Sequence, residues 1–271
     1  MNVTITGASG NLGARATRAL VESGFNVRAT DRSRPRGLPV RVEIANLLDR
    51  EACYGLVEGA DAVVHLGNYP TDIRQINPQQ LFSENTAMNM NVFQASREAG
   101  VKKILFSSSV QAIASPVLPY LPLDGDVPPE PDNPYALSKQ VGEVMLAYFA
   151  RQAEMDCVAL RFPLLLDPAW HSKRLLSNAT EGFAFLHIAD AAALVLACLK
   201  ASLPGFRIYF PASPDNGLGK PAAEVIREHY PNVPLRRPLE QIESLVDISR
   251  IQVETGWTPK NQIAFRSSSF P

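Results

Sequence analysis

Tyr135 and Lys139 stand four residues apart at the start of a segment with helical periodicity. This spacing places both side chains on one face of a helix, one turn apart. An ammonium group beside a phenol favours the phenolate and lowers the tyrosine pKa from its ordinary value of about 10. A tyrosine tuned in this way can give or take the proton of an alcohol or carbonyl during a hydride transfer. The same spacing also occurs on ordinary amphipathic helices, so the pair alone leaves both interpretations open.

A serine cluster is the second feature that could do chemistry. Ser107, Ser108 and Ser109 follow an apolar run that predicts a strand. The carboxyl end of a parallel strand is the place where such sheets bind their ligands. A hydroxyl there can hydrogen-bond a substrate oxygen and stabilise its charge. The alternative is a cluster that only ends the strand.

Three glycines, Gly7, Gly10 and Gly13, connect the first predicted strand to the first helix. One allows a tight turn, one lets a pyrophosphate approach the backbone, and one lets the helix pack closely on the strand. Backbone N–H groups at the helix N-terminus would then face the phosphates. An ordinary strand-to-helix turn is the alternative, but the position inside a βαβ unit favours a dinucleotide site.

Asp31 ends the second predicted strand, about 20 residues after the glycines, where a carboxylate accepts hydrogen bonds from the adenosine ribose. It would repel a 2′-phosphate, which favours NAD. Arg32, Arg34 and Arg36 follow, and guanidinium groups suit a 2′-phosphate. The sequence therefore predicts NAD and leaves NADP as the alternative, with a solvated arginine loop as the ordinary explanation of the three cations.

The elements that must position these residues alternate between short β-rich runs and helical patterns. Several strands are apolar on both faces, as in a parallel sheet covered by helices, and repeated βα units predict a doubly wound α/β (Rossmann) fold. Strands are predicted over 2–6, 26–30, 40–45, 62–67, 103–107, 157–162 and 207–210. Helices are predicted over 12–23, 48–57, 79–99, 135–153, 189–199, 220–229 and 247–255.

The later part of the chain is less regular. Residues 115–134 are too rich in proline for a helix or a central strand, so they predict a long loop, either an active-site lid or a surface segment. A polar loop is expected from Phe162 to Glu181. We expect residues 1–271 to form a single NAD(P)-binding domain, with about 163–187 and 211–246 forming a small C-terminal substrate lobe.

Composition argues against several classes of partner. The 271 residues carry a formal net charge of −1, so neither nucleic acid nor an anionic membrane is expected as a partner. No apolar run approaches the length of a membrane span, and no signal segment is recognisable. Cys53, Cys157 and Cys198 are scattered in apolar contexts, which predicts reduced thiols, a cytoplasmic protein and no metal site.

The chain resembles the extended short-chain dehydrogenase/reductases, the branch of NAD-dependent epimerases and dehydratases. The resemblance covers most of the chain. It is carried by the glycine loop, by Asn85 with Asn91, and by residues 65–67, 107–109, 134–139, 185–190 and 256–259. It implies that Ser109 and Tyr135 are catalytic and that Lys139 also binds the nicotinamide ribose. It further implies a homodimer built through helices 79–99 and 135–153.

The cofactor set expected from the glycine loop and the resemblance is large. It comprises Gly7, Ser9, Gly10, Asn11, Leu12, Gly13, Asp31, Arg32, Asn46, Leu47, Leu66, Gly67, Asn85, Ser107, Tyr135, Lys139 and Phe162. The expected substrate set comprises Asn68, Ser109, Val110, Gln111 and Arg174.

The residues expected to bind the substrate say less about the reaction than those expected to bind the cofactor. Nucleotide-sugar epimerases of the branch have an asparagine where this chain has Leu164, and apolar residues surround it. Arg174 stands in a setting that resembles uronate dehydrogenases, where an arginine holds the sugar carboxylate. We therefore expect an NAD-dependent oxidoreductase acting on a sugar-like or sugar-acid substrate. The alternatives are a nucleotide-sugar epimerase or dehydratase, and a non-catalytic dinucleotide-sensing regulator.

Overall fold

The computed structural model describes residues 1–33, 37–69, 76–113, 118–167 and 183–261. Within them, seven parallel strands form one sheet in the order β3-β2-β1-β4-β5-β6-β9. The strands are β1 Asn2–Thr6, β2 Asn26–Asp31, β3 Val42–Ile44, β4 Ala62–His65, β5 Lys103–Ser109, β6 Asp156–Phe162 and β9 Phe206–Tyr209. The predicted doubly wound fold is confirmed.

Helices cover both faces of this sheet, as the two-sided apolar strands predict. One apolar cluster lies on the face covered by α1 and α5, and a second lies beneath α2, α3 and α4. In the described ranges the α-helices are α1 Asn11–Glu22, α2 Arg50–Val57, α3 Pro78–Glu98, α4 Pro134–Ala153, α5 Ile188–Lys200, α6 Ala222–His229 and α7 Ser249–Thr255. None of the helices in the described ranges is long and apolar enough to cross a membrane.

The strand order places a ligand crevice at a defined point. The chain winds from β1 out to β3 and then returns to add β4 on the other side of β1. Where the winding direction reverses, the loops after neighbouring strands diverge and leave a crevice at their carboxyl ends. Thr6 at the end of β1 lies directly beside His65 at the end of β4. The glycine loop and the segment after β4 therefore flank this crevice.

A second, two-stranded sheet differs from the prediction of an unbroken polar loop after Phe162. β7 (Leu164–Leu166) pairs in parallel with β8 (Phe185–His187). A strand of three residues has too few positions to show a period of two, and its partner lies about twenty positions further on, so the local pattern does not reveal it. The intervening residues 168–182, which include Arg174, lie outside the described residues.

The proline-rich segment packs against the C-terminal part of the chain. The Leu121 N–H donates to the Pro234 carbonyl at 2.8 Å, and the Leu123 N–H donates to the Leu245 carbonyl at 2.9 Å. Both leucines are buried in a third apolar cluster that also contains α6. From 118 onward the described part of this segment is therefore anchored by backbone pairing.

Candidate active site

The crevice between β1 and β4 contains a cavity of about 190 Å³. Gly7, Gly10, Asp31, Leu66 and Gly67 are among the residues that line it. Gly7 has φ +69°, and a Cβ there would lie 2.8 Å from the Gly67 nitrogen. A Cβ at Gly13 would lie 2.0 Å from the Gly7 carbonyl oxygen. Any side chain at either position would therefore displace backbone at the floor of the crevice.

Asp31 is oriented by two backbone donors. Its carboxylate accepts from the Ser9 N–H at 2.8 Å and from the Arg32 N–H at 2.6 Å. The Ser9 hydroxyl in turn donates to the Ser33 carbonyl at 2.7 Å. The carboxylate is thus fixed at the cavity wall, with lone pairs left for further donors.

Tyr135 and Lys139 lie on the first two turns of α4. The helix begins sharply because Asn133 caps it, accepting from the Ala136 N–H at 2.9 Å, and Pro134 occupies the first turn. The Lys139 Nζ lies 5.4 Å from the centre of the Tyr135 ring. It donates to the Asn68 Oδ1 at 2.9 Å and to the Ser107 carbonyl at 2.8 Å. One ammonium group therefore joins α4 to the ends of β4 and β5.

Ser109 completes the cluster. It is the last residue of β5, which continues two residues beyond its predicted end because Ser109 still pairs with Phe162 of β6. Its side chain lies close enough to the Tyr135 hydroxyl to lower the pKa of that phenol. The structure thus brings Ser109, Tyr135 and Lys139 together, as expected for a proton-transfer site.

The expected lowering of the Tyr135 pKa by Lys139 is wrong for this arrangement. Burial raises the pKa of Tyr135, and the neighbouring Ser109 side chain offsets only part of that rise. Burial also lowers the pKa of Lys139 to about 7, against the opposing effect of the Glu143 carboxylate. Both shifts have one cause: each charged form loses hydration in an enclosed site.

Arg161 and Glu143 form a buried ion pair beside this cluster, which the sequence analysis did not predict. Arg161 on β6 and Glu143 on α4 form two hydrogen bonds, of 2.9 and 2.8 Å, and their side chains are only 2% and 3% exposed. Ser108 donates to Glu143 at 2.6 Å, and Arg161 donates to the Val127 carbonyl at 2.7 Å. The only sequence signal was Glu143, four residues after Lys139 and so on the same helix face.

His65, the last residue of β4, is fully buried. Its Nδ1 lies 2.7 Å from the Thr6 Oγ1, and its Nε2 lies 3.0 Å from the Asn89 Oδ1. Burial lowers the pKa of His65 to about 3, so the ring is neutral at physiological pH. His65 therefore ties β1, β4 and α3 together and is no proton donor at neutral pH.

Comparison with known proteins places this geometry in a family. The sequence profile described as the NAD dependent epimerase/dehydratase family matches residues 3–173, more than half of the chain. The chain belongs to this family. Family membership and the geometry of the crevice agree, since both point to a dinucleotide at the β1–β4 switch point.

Individual relatives carry different activities. A uronate dehydrogenase of Pseudomonas syringae pv. tomato is 29% identical over 178 residues, which cover 64% of this chain and 62% of that protein. The chain thus spans about three fifths of that relative. A UDP-glucose 4-epimerase of Azospirillum brasilense is 26% identical over 311 aligned positions, covering 96% of this chain and 87% of that protein.

Solved structures agree on the fold. A short-chain dehydrogenase/reductase superfamily protein from Agrobacterium tumefaciens, solved with bound NAD, superposes with a TM-score of 0.75 at 20% identity. The superposition covers 97% of this chain and 94% of that one. At this identity the likeness concerns the fold alone.

The crevice fits the NAD that the family name specifies. The floor has glycines where any Cβ would collide, and Asp31 is fixed at the wall where ribose hydroxyls bind in such folds. Leu47, Leu66 and Met88 supply apolar lining. Donor N–H groups at the start of α1 complete a site suited to a pyrophosphate.

The other predicted cofactor residues take varied places. Asn85 is buried and hydrogen-bonds both the N–H and the carbonyl of Tyr69, at 2.8 and 3.1 Å. Asn46 is exposed and accepts from the Leu48 N–H. Their contact with cofactor stays a prediction, as does that of Ser9, Asn11, Leu12, Ser107 and Phe162.

The predicted substrate residues fall into two groups. Asn68 and Gln111 surround the Ser109 region: Asn68 bonds Lys139, and the Gln111 N–H donates to the Ser109 Oγ at 3.1 Å. Val110 and Gln111 belong to a 3-10 turn, Val110–Ile113, that follows β5 directly. Arg174 lies outside the described residues. Among the described residues, no group of three His, Cys, Asp or Glu side chains could hold a metal ion.

Proposed function

We propose that this protein is an NAD-dependent oxidoreductase that transfers hydride between nicotinamide and a hydroxyl or carbonyl carbon of a sugar-like or sugar-acid substrate. The observation that carries the proposal is the placement of Ser109, Tyr135 and Lys139 together at the carboxyl ends of the strands, next to the dinucleotide crevice. The Lys139 Nζ lies 5.4 Å from the centre of the Tyr135 ring, and the Ser109 side chain is close enough to lower the pKa of the Tyr135 hydroxyl. A binding fold without catalysis has no need of this cluster. Family membership supports the same conclusion.

Each residue of the cluster has a role in the proposed reaction. Ser109 hydrogen-bonds the reacting oxygen of the substrate and stabilises its charge. Tyr135 takes the proton of the alcohol in oxidation and returns it to the carbonyl oxygen in reduction. Lys139, held by Asn68 and the Ser107 carbonyl, lies beside the phenol and binds the nicotinamide ribose. NAD, when bound, accepts or supplies the hydride.

The cofactor contacts follow from the crevice. The N–H groups of the loop 7–13 hold the pyrophosphate, and Asp31 accepts from the adenosine ribose. Leu47, Leu66 and Gly67 line the space between them. Asn46, Asn85 and Phe162 complete the proposed set at the edges of the site.

The proposed substrate is a free sugar or sugar acid. Leu164, the first residue of β7, is 43% exposed. At this position a nucleotide-sugar epimerase would present an amide to the substrate diphosphate. Asn68, Val110 and Gln111 line the substrate side of Ser109, and Arg174 is proposed to hold a carboxylate. The similarity to a uronate dehydrogenase supports this class.

The test is net reduction of NAD by a panel of sugar acids and aldoses, followed at the absorbance of reduced nicotinamide. The proposal expects NADH to accumulate with at least one compound of the panel. Tyr135→Phe should lose this activity while it still binds NAD. If Tyr135→Phe kept full activity, the proton-transfer role of Tyr135 would be wrong. No turnover of any sugar acid, aldose or nucleotide sugar by the wild type would favour a regulator without catalysis.

A nucleotide-sugar epimerase is the second candidate, because the epimerase of A. brasilense aligns with nearly the whole chain. An epimerase returns the hydride to its substrate and releases no net NADH. Conversion of a UDP-sugar to its epimer without NADH accumulation would favour this candidate over the dehydrogenase.

We also propose a homodimer through α3 and α4. Met90 on α3 and Leu137, Val144 and Tyr148 on α4 are large apolar side chains that are 40–64% exposed. Two such helix pairs would bury these side chains in a four-helix arrangement. Val144→Glu should convert dimer to monomer in light scattering after size exclusion. Val253→Glu on α7, where the side chain is 85% exposed, is the matched control and should leave the mass unchanged.

The remaining parts of the proposal concern organisation and location. The third apolar cluster, which contains Phe210, Ile226 and Leu245, supports a substrate lobe formed by about 163–187 and 211–246 within a single domain. The three cysteines are free and buried, which suits a protein of the reducing cytoplasm.

A further inference from the structure

A buried polar contact joins α4, the helix that carries Tyr135 and Lys139, to the sheet. Glu143 lies on α4 one turn after Lys139, and its side chain is 3% exposed. Ser108 on β5 donates to its Oε1 at 2.6 Å. Arg161 on β6 donates to both of its carboxylate oxygens, at 2.9 and 2.8 Å. One carboxylate therefore connects α4 with two neighbouring strands.

This contact lies next to the reacting residues. Ser108 stands between Ser107, whose carbonyl accepts from the Lys139 ammonium at 2.8 Å, and Ser109 at the end of β5. Lys139 is thus bonded to one residue of β5, and Glu143 is bonded to the next residue of the same strand. Two successive turns of α4 are therefore tied to two successive residues of the strand that carries the serines.

The helix also approaches β5 closely at this turn. A Cβ at Gly142 would lie 2.6 Å from the ring of Phe106, so a larger residue would push helix and strand apart. Apolar contacts of this kind hold a helix on a sheet, but they are non-directional. The hydrogen bonds of the Glu143 carboxylate are directional, and burial excludes the water that would compete for them. They therefore fix the rotation of α4 on the sheet at the turn next to Lys139.

We infer that Glu143 and Arg161 are positioning residues for the reaction: by fixing α4 against the end of β5, they bring the Lys139 ammonium to the nicotinamide ribose and the Tyr135 hydroxyl to the substrate oxygen. For the roles of Lys139 and Tyr135 this inference rests on the proposed function. Neither Glu143 nor Arg161 lines the described dinucleotide cavity, so their effect on a ligand passes through α4. An ion pair with a structural role alone would contribute only to the stability of the fold.

The test compares the binding of two nucleotides by titration calorimetry and needs no substrate. ADP would occupy the glycine loop and the Asp31 end of the crevice, whereas NAD would also reach Lys139. The ratio of the NAD Kd to the ADP Kd therefore reports the placement of Lys139. Lys139→Met calibrates this readout: it should raise the NAD Kd about tenfold or more, the scale of one lost hydrogen bond from a charged group, and change the ADP Kd by less than about twofold.

The deciding variant replaces both partners, Glu143→Leu with Arg161→Met. Exchanging a buried ion pair for apolar side chains of similar volume is often close to neutral for stability, so this protein should fold. We expect its NAD Kd to rise at least about fivefold, toward the Lys139→Met value, and its ADP Kd to stay within about twofold of the wild type. Ser108→Ala keeps the ion pair and removes one uncharged donor, so the NAD Kd should rise about twofold to threefold.

Phe149→Leu is the matched control on the same helix. Phe149 is 1% exposed and packs in the second apolar cluster. Shortening it destabilises the fold by leaving a cavity, but it removes none of the polar contacts of α4. The ratio of the two Kd values should therefore remain that of the wild type.

The possible results distinguish this inference from the proposed function. If Lys139→Met changes the Kd ratio but the double variant and Ser108→Ala keep the wild-type ratio, the ion pair is structural only and the oxidoreductase stands. An equal rise in both Kd values of the double variant, or the same change of ratio in Phe149→Leu, would show a general loosening of the fold and overturn the inference. If the wild type binds no NAD, or Lys139→Met leaves the ratio unchanged, the proposed role of Lys139 fails and the inference fails with it.

Discussion

Breaking the buried pair of Arg161 and Glu143 should destabilise the fold strongly, and replacing both partners should cost much less. Arg161→Met leaves Glu143 with Ser108 as its remaining hydrogen-bond donor, in a place where its side chain is 3% exposed. An uncompensated buried charge of this kind lowers the free energy of unfolding by about 3–5 kcal/mol. The loss of the bond to the Val127 carbonyl adds to this cost.

The double variant supplies the discriminating measurement. Glu143→Leu with Arg161→Met removes both charges and leaves apolar side chains of similar volume, which is often close to neutral. The coupling between the two positions should therefore be at least about 2 kcal/mol in a double-mutant cycle. Urea unfolding followed by tryptophan fluorescence gives the four free energies.

An exposed pair provides the control for that cycle. Lys220 and Glu228 form an ion pair in which both side chains are about two-fifths exposed, and the pair joins surface positions only. Lys220→Met with Glu228→Leu should show no measurable coupling, since solvent screens such pairs. Additive losses at Arg161 and Glu143, or a cost below about 1 kcal/mol for Arg161→Met, would refute the reasoning from burial.

Three further predictions follow from the site. The pKa of Lys139 is lowered to about 7 in the fold, so between pH 7 and about 10.4 the unfolded chain binds the extra proton and stability rises with pH. Lys139→Met should remove this rise, and equal slopes for wild type and variant in unfolding measured across that window would contradict it. Gly13→Ala should abolish NAD binding in calorimetry, because its Cβ would lie 2.0 Å from the Gly7 oxygen. Gly55→Ala on α2, with no atom within 4 Å of the new Cβ, should bind NAD normally and unfold at a higher urea concentration, by up to about 1 kcal/mol. Asn68→Ala should weaken the holding of Lys139 and lower kcat with little change in NAD affinity; an unchanged kcat would show that the Ser107 carbonyl suffices.

Much of the fold could be predicted because its signals are local. The start of α4 was predicted within one residue, since Asn133 and Pro134 have the side chains that open a helix. Buried strands such as β4 and β6 are apolar on both faces and are bounded by turns. The glycine loop carries its conformational requirement in its residue types, which is why the crevice followed from the sequence.

The features that escaped prediction depend on distant partners. Arg161 and Glu143 are 18 positions apart, and only the packing of β6 against α4 makes them a pair. The pairing of β7 with β8 is likewise invisible in a window of a few residues. The pKa of Tyr135 was predicted in the wrong direction because helical spacing reports the neighbouring lysine but not the extent of burial.

The central claim is that Ser109, Tyr135 and Lys139 make this dinucleotide-binding fold a catalyst. Its most direct test is a single-turnover experiment in which enzyme in excess over NAD is mixed with uronates and aldoses, and reduced nicotinamide is followed by absorbance. The account predicts that wild type forms NADH with at least one compound, whereas Tyr135→Phe binds NAD with the same Kd and forms none. NADH formation by Tyr135→Phe at the wild-type rate would contradict it.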